Sequence, residues 1–189
     1  MFPLYRSVLL IMSFLLGLSL VGQANKVELN VGDEAPEFTL SGSDGEEYTL
    51  SELLKQGPVV LVWFPKADTP GCTAQCKDIT SNGRLIREYN VSYFMISVDT
   101  PEDNQKFAEK YNADFPILSD ADKSVAKQYG VLSAHGWPAR HTFYIGKDGK
   151  ILEIDRKVKT KTAAADMAAI LAELEIEKID TEISETPET

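Results

Sequence analysis

The sequence predicts an α/β fold in which helices flank a central sheet. A continuous apolar run at residues 58–64 and a largely apolar run at residues 91–98 have the character of strands buried on both faces. A threonine followed by a proline, at Thr69 and again at Thr100, gives a helix start after each run. With 189 residues, 43% of them hydrophobic and 25% charged, the composition is that of a soluble protein with one globular domain.

The elements begin with two short strands. Residues 36–40 and 47–49 have strand character, and because they precede a helix that starts near Ser51, we expect them at an edge of the sheet. The first buried strand follows at residues 58–64, where valine, leucine, tryptophan and phenylalanine stand without a polar interruption. This strand is predicted to lie near the middle of the sheet.

Two helices with the same start signal follow the two apolar runs. Thr69 as N-cap and Pro70 as first helical residue predict a helix that runs to Tyr89. After the strand at 91–98, Thr100 opens the next helix in the same way, and acidic residues in its first turn suit the helix dipole. Each strand is thus followed by a helix that can cross back over the sheet.

The alternation of strands and helices continues after the second helix. A strand is predicted at residues 115–118, a helix at 121–129 that ends at Gly130, and another strand at 141–145. Strands separated by helices imply right-handed crossovers. We therefore expect a largely parallel centre in a mixed sheet.

The last part of the domain predicts a hairpin and a closing helix. Lys-Asp-Gly-Lys at residues 147–150 is a hairpin signal that leads into a strand at 151–154. The alanine-rich residues 163–174 then predict a helix. The hairpin should form an antiparallel edge of the sheet.

The N-terminus has the pattern of a secretory signal peptide. Residues 8–22 form a run of 15 without a charge, after Arg6 and before Gly22-Gln23-Ala24. A bilayer-spanning helix needs about 20 apolar residues, so an uncleaved membrane anchor is the less favoured alternative. We expect residues 1–24 to direct export, with a periplasmic domain and membrane contact only if this segment is retained.

The net charge of −10 is concentrated at the C-terminus. Residues 173–189 hold seven acidic residues and one lysine, which account for −6 of the total. Residues 25–174 are thus expected to form the folded domain, and residues 175–189 an acidic, disordered tail. Because the domain has no basic stripe for a phosphate backbone, nucleic acid is not an expected partner.

The two cysteines, Cys72 and Cys76, lie in the first turns of the helix that follows the buried strand. Unpaired N–H groups and the positive end of the helix dipole favour a thiolate at this place, and the thiolate is the nucleophilic form. A structural disulfide is a weaker alternative because closing so short a loop stabilises the fold little. Residues four apart on a helix also have Cβ atoms about 5–6 Å apart, so a disulfide requires the helix start to loosen.

A zinc site is a further alternative for the same cysteines. Cys72 and Cys76, together with His135 and His141, loosely match the ligand spacing of a Cys2His2 site. The 58 residues between the two pairs argue against it, because such sites keep their ligand pairs close.

The loop before Cys72 carries a specific motif, Pro65-x3-Thr69-x2-Cys72, between a buried strand and a helix. With Thr-Pro-Gly-Cys-Thr it resembles the peroxiredoxins of the Q type, also called bacterioferritin comigratory proteins, over residues 31–174. The resemblance implies a thioredoxin-like fold in which Cys72 is the peroxidatic cysteine, Thr69 supplies a hydroxyl and Pro65 shields the site from water. Arg140 matches the arginine of the family's Arg-x-x-Phe pattern in a later strand, where its charge would stabilise the thiolate and the breaking O–O bond.

The resemblance also implies an activity. Cys72 would reduce hydrogen peroxide and organic hydroperoxides through a sulfenic acid, Cys76 would resolve it as an intramolecular disulfide, and thioredoxin or a periplasmic thioredoxin-like protein would reduce that disulfide. Family members with a resolving cysteine on this helix commonly place it five residues after the first, whereas here the interval is four. The resemblance implies a monomer and no metal or organic cofactor.

A function of another class is a copper carrier. The Sco-type copper chaperones are similar in fold and are exported, and they bind copper through Cys-x3-Cys and a distant histidine. Cys72, Cys76 and a histidine could supply two soft thiolates and an imidazole for Cu(I). Against this function, the Thr-Pro-Gly lead-in and Arg140 would serve no purpose in a copper site.

Overall fold

The computed structural model describes residues 27–179 of the chain. The predicted signal peptide, residues 1–24, lies outside them, so its presence stays a prediction. Within residues 27–179, no helix combines the length and the apolar character that crossing a bilayer requires.

A seven-stranded sheet forms the centre of the described domain, in the order β2-β1-β5-β4-β3-β6-β7. Only the β3–β4 and β4–β5 pairs are parallel. The pairs β1–β2, β1–β5, β3–β6 and β6–β7 are antiparallel. The strands are β1 Thr39–Gly42, β2 Glu47–Thr49, β3 Val59–Trp63, β4 Ser92–Ser97, β5 Ile117–Ser119, β6 Thr142–Ile145 and β7 Ile151–Asp155.

Five α-helices of the described residues surround this sheet, and the predicted α/β class is confirmed. They are α1 Leu50–Gln56, α2 Pro70–Asn82, α3 Pro101–Tyr111, α4 Ser124–Gln128 and α5 Ala163–Glu173. The predicted second helix is shorter than expected, because the chain tightens into a 3₁₀ turn at Gly83–Leu85 before it reaches Tyr89.

The prediction of a largely parallel centre is wrong at β6. This strand runs antiparallel to β3, with Val62 opposite Thr142 and Val59 opposite Ile145. The connection between β5 and β6 contains only one short helix, α4, and it does not recross the sheet, since β5 is parallel to β4 and β3 whereas β6 is antiparallel to β3. The chain therefore enters β6 at the same sheet edge where β3 ends, and this brings Arg140 to the end of β3.

Both faces of the sheet are buried in apolar layers. Every residue of β3 is buried, and alternate residues face opposite layers, as the continuous apolar run predicted. Val60 and Val62 pack with α2 and α5, whereas Leu61 and Trp63 pack with α1 and α4. The buried face of α2 carries the two cysteines, so both thiols lie in a packed layer between helix and sheet.

The C-terminal tail begins later than the predicted residue 175. The N–H of Asn90 donates to the carbonyl of Glu177 at 2.7 Å, and the N–H of Ile179 donates to the carbonyl of Glu88 at 2.9 Å. Lys178 also pairs with the carboxylate of Glu88 at 3.1 Å. Residues 175–179 are thus bound to the domain, because backbone pairing with residues 88–90 compensates for their polar composition, and residues 180–189 lie outside the described part.

Candidate active site

Cys72 is the third residue of α2 and is fully buried. The first backbone hydrogen bond of the helix runs from the N–H of Thr73 to the carbonyl of Thr69 at 2.8 Å. The N–H groups of Gly71 and Cys72 therefore precede the helical ladder, at the positive end of the dipole. This placement, predicted from the sequence, favours the ionised form of a thiol.

Arg140 reaches Cys72 from the other side of the site. Its Nη2 donates to the sulfur of Cys72 at 3.2 Å, and its Nη1 donates to Oε1 of Gln75. Gly71 makes room for this contact, because a Cβ at that position would lie only 3.3 Å from Nη2. The structure thus brings the predicted arginine into hydrogen-bond distance of the predicted nucleophile, where a fixed positive charge stabilises a thiolate.

Gln75 is a site residue that the sequence analysis missed. It is fully buried, and since arginine can only donate, the atom that accepts from Arg140 must be the amide oxygen. The other amide atom, Nε2, is buried and finds no acceptor among residues 27–179. The available signal was position, because residues three apart on a helix share a face and Gln75 therefore lies on the face of Cys72.

Thr69 is the N-cap residue of α2, as predicted, but its side chain makes no capping hydrogen bond to the helix. Its hydroxyl donates instead to the carbonyl of Lys66 at 3.0 Å. Asp68 lies in the left-handed region with φ of 59° and closes a turn that brings this carbonyl within reach. Thr100, with the same Thr-Pro signal, does accept from the N–H of Asp103 at 3.2 Å.

The loop between β3 and α2, residues 65–69, is anchored by two carboxylates. The N–H of Ala67 donates to Asp99, itself only 8% exposed, at 2.8 Å. Asp68 pairs with Lys110 of α3 at 2.7 Å, and this hydrogen bond lowers the pKa of Asp68. Pro65 is half-buried at the start of the loop. These contacts fix the path by which the chain enters α2.

Cys76 lies one turn after Cys72 and is also fully buried. Both are free thiols and are not at disulfide distance. Burial, with a smaller effect from the negative charge of Asp114, raises the pKa of Cys76 to about 11. The two thiols therefore differ in surroundings, since Cys72 faces a guanidinium group and Cys76 an apolar layer.

The histidines do not complete a metal site with these thiols. In residues 27–179 no group of three or more histidine, cysteine or acidic side chains is placed to hold a metal ion. His135 is exposed on the connection before β6, and His141 is half-buried directly after Arg140. The sets proposed for zinc and for copper are thus not assembled in the described part of the chain.

Comparisons with known proteins agree with this site. The model of the AhpC/TSA family matches residues 31–154. Peroxiredoxin Bcp of Escherichia coli (strain K12) is 39% identical over 140 residues, which cover 70% of this chain and 88% of that protein. Peroxiredoxin Bcp of Bacillus subtilis (strain 168) is 31% identical over 153 residues, which cover 77% of this chain and 97% of that protein.

Solved structures similar to this chain are also peroxiredoxins. The crystal structure of peroxidoxin BcpB from Mycobacterium tuberculosis superposes with a TM-score of 0.70 at 35% identity, covering 77% of this chain and 97% of that one. A cysteine-to-serine mutant of Xanthomonas campestris peroxiredoxin Q gives a TM-score of 0.66 at 26% identity, with 72% and 90% covered. A family motif placed on the matching fold, with relatives of this similarity, identifies the chain as a member of the AhpC/TSA family, among the peroxiredoxins of the Bcp and Q type.

Proposed function

We propose that this peroxiredoxin is a thiol peroxidase whose Cys72 reduces hydrogen peroxide and organic hydroperoxides. The observation that carries the proposal is the 3.2 Å contact between Arg140 and the sulfur of Cys72 at the N-terminus of α2. A structural cysteine needs no such partner, whereas a nucleophilic thiolate in a buried site does.

The first step consumes the peroxide. The Cys72 thiolate attacks one peroxide oxygen, an S–O bond forms, the O–O bond breaks, and the leaving oxygen takes a proton to become water or an alcohol. The guanidinium of Arg140 stabilises the thiolate beforehand and the negative charge on the leaving oxygen afterwards. Gln75 acts as a positioning residue, because its amide oxygen holds the other end of the guanidinium group.

Thr69 and Pro65 complete the peroxide site in this proposal. By donating to the carbonyl of Lys66, the Thr69 hydroxyl keeps its lone pairs free to accept a hydrogen bond from the peroxide O–H. The proposed role of Pro65, which has no N–H donor, is to shield the thiolate from water on the side of the loop. The anchors at Asp99 and Asp68 support both roles, since they fix the loop that carries these two residues.

Cys76 resolves the sulfenic acid in the second step. Its sulfur attacks the sulfur of Cys72, a disulfide forms and water leaves. Because the helical geometry keeps the Cβ atoms too far apart, the start of α2 has to loosen first. Asp78, two residues on, accepts a hydrogen bond from the N–H of Ala164 at 2.9 Å and so pins the later part of α2 to α5. Loosening is thereby confined to the first turns, which hold Cys72.

A thioredoxin-like dithiol protein then reduces the disulfide by thiol exchange and restores both thiols. We place this cycle in the periplasm, because residues 1–24 have the charge and length pattern of a signal peptide. The resemblance to the Q-type family is the ground for proposing a monomer. N-terminal sequencing of the protein from the periplasmic fraction should begin near Asn25, and a chain that begins at Met1 in the cytoplasm would contradict export.

The copper-carrier function is wrong for this chain. Its curated and solved relatives are peroxiredoxins, and residues 27–179 assemble no set of Cys72, Cys76 and a histidine around a common point. The Arg140 contact also places a permanent cation where a copper ion would have to bind.

Stopped-flow oxidation of the reduced full-length protein by hydrogen peroxide tests the cycle. Cys72→Ser should lose the fast step, because it removes the nucleophile. Cys76→Ser should keep the fast step but stop at sulfenic acid or oxidise further to sulfinic acid, which mass spectrometry detects. A wild-type protein that reacts no faster than a free thiol would refute the peroxidase proposal, and a Cys76→Ser variant that is recycled as fast as wild type without overoxidation would refute the role of Cys76.

A further inference from the structure

An exposed tryptophan between two lysines lies beside the active site. Trp137 is 40% exposed and is the only aromatic side chain among the exposed large hydrophobic residues of the described chain. The Nζ atom of Lys66 lies 4.5 Å from the centre of its ring, and that of Lys123 lies 6.0 Å from it. We call these three side chains the Trp137 patch.

A rigid turn presents the tryptophan. The N–H of Ser133 donates to the carbonyl of Trp137 at 2.9 Å, and the N–H of Gly136 donates to the carbonyl of Ser133 at 2.9 Å. An isolated bridge between Leu132 and Pro138 closes the base of the turn. Because the backbone is already fixed, a partner that packs on the ring orders little further chain, which favours binding.

The patch borders both segments that build the active site. Lys66 belongs to the loop that enters α2, and its carbonyl accepts the hydroxyl of Thr69. Trp137 lies three residues before Arg140, whose guanidinium contacts Cys72. The Trp137 patch is therefore carried by the two segments that hold the sulfur of Cys72, which a dithiol protein has to reach.

The charge of the patch is opposite to that of the chain. The whole chain carries −10, yet Lys66 and Lys123 make no salt bridge within residues 27–179. Asp122, beside Lys123, accepts from the N–H of Ser124. Two unpaired cations around an aromatic ring complement a partner with acidic groups around an apolar contact surface.

We propose that the Trp137 patch is the docking surface for the dithiol reductase, a thioredoxin-fold protein with acidic groups near its cysteine pair. This inference rests on the proposed peroxidase function. In the reaction it serves, a thiolate of the reductase attacks one sulfur of the Cys72–Cys76 disulfide and releases the other as a thiolate. The second thiol of the reductase then attacks the reductase sulfur of this mixed disulfide and releases the peroxiredoxin sulfur as a thiolate. Both electrons thus come from the reductase, which leaves as a disulfide.

The test compares a protein reductant with a small one. Peroxidase turnover is measured with thioredoxin, recycled by thioredoxin reductase and NADPH, and separately with dithiothreitol, which needs no docking surface. Trp137→Ala and Lys123→Glu should each raise the KM for thioredoxin about tenfold or more, as removal of a central aromatic or a reversed charge at an interface does. The rate with dithiothreitol and the oxidation of Cys72 by hydrogen peroxide should stay at the wild-type level.

Lys161→Glu is the matched control, since Lys161 is exposed and lies outside the patch on the approach to α5. It should leave the thioredoxin KM unchanged. Two results would overturn the assignment of the Trp137 patch as the docking surface. One is an unchanged KM for thioredoxin in both patch variants, and the other is an equal loss of turnover with thioredoxin and with dithiothreitol. A wild-type protein that turns over with dithiothreitol but not with thioredoxin would overturn the partner, whereas failure of the peroxidase proposal itself would appear as slow oxidation of wild-type Cys72.

Discussion

Gln75 should control the peroxide reactivity of Cys72 while contributing little to stability. Gln75→Met keeps a side chain of similar length and volume but removes both amide atoms. Arg140 then loses the acceptor that holds one end of its guanidinium group. The buried Nε2, which has no acceptor within residues 27–179, disappears at the same time.

These two changes have opposite effects on the free energy of unfolding. A hydrogen bond to a charged group contributes about 1.5–3 kcal/mol, and an unsatisfied buried polar group costs about 1–3 kcal/mol, so the net change should stay within about 2 kcal/mol. The rate of Cys72 oxidation, by contrast, has no second effect that offsets the loss of the hydrogen bond between Gln75 and Arg140. If the lost bond is fully expressed in the transition state, at about 1.4 kcal/mol per factor of ten, oxidation of Cys72 should slow by about 10- to 150-fold.

Stopped-flow oxidation of the reduced protein gives the rate constant, and urea denaturation gives the free energy of unfolding. Gln105→Met is the matched control, because Gln105 is exposed on α3 and should change neither quantity. Gln75→Glu keeps an acceptor for Arg140 and should retain more of the rate than Gln75→Met. Oxidation of Gln75→Met at the wild-type rate would refute the positioning role, and a loss of several kcal/mol of stability would show that Gln75 is mainly a packing residue.

Three further changes test the loop, a buried acid and the resolving step. Asp99→Ala leaves the N–H of Ala67 without its acceptor and should lower the free energy of unfolding by about 1–3 kcal/mol in urea denaturation. Asp99→Asn, which keeps an acceptor, should recover most of this loss, and an equal loss in both variants would contradict the anchor. Burial raises the pKa of Asp120 from 3.8 to about 6, so the folded chain binds a proton that the unfolded chain releases in this range. The unfolding free energy of wild type relative to Asp120→Asn should therefore fall as the pH rises from about 4 to about 6 and then level off, and a constant difference would refute the shift. Condensation of oxidised Cys72 with Cys76 should reach its maximal rate near the ordinary thiol pKa of 9.0, not near 11, because the helix start loosens before Cys76 ionises. A pH series of the second stopped-flow phase measures this, and a rate that climbs to pH 11 would show that Cys76 reacts while still packed.

The strands were predictable because burial on both faces leaves a local trace in the sequence. The run at 58–64 contains β3, and the run at 91–98 contains β4. The direction of β6 was not predictable in this way, since a strand has the same residue pattern in either direction. Its direction depends on whether the connection between β5 and β6 recrosses the sheet, and the residue pattern of that connection does not encode this. The bound residues 175–179 escaped prediction for a related reason, because their backbone partners lie near residue 89.

The site was predictable where chemistry limits the choice of residue. Cys72 was predicted from its place at a helix start and Arg140 from the family motif. The structure places Nη2 of Arg140 3.2 Å from the sulfur of Cys72. Gln75 was not predictable from its position alone, because a glutamine within a helix is more often on the surface. The hydroxyl of Thr69 had two competing partners, the helix N–H groups and the Lys66 carbonyl, and the turn at Asp68 decides between them.

The antiparallel pairing of β3 with β6 makes the site dependent on the completed fold. Cys72 and Arg140 are 68 positions apart along the chain and meet only when β6 has joined β3. Contacts of such long range close late, because the intervening chain must first lose its conformational freedom. A nascent or partly unfolded chain thus carries Cys72 without its arginine, and rapid consumption of peroxide by Cys72 would report that β6 has paired with β3.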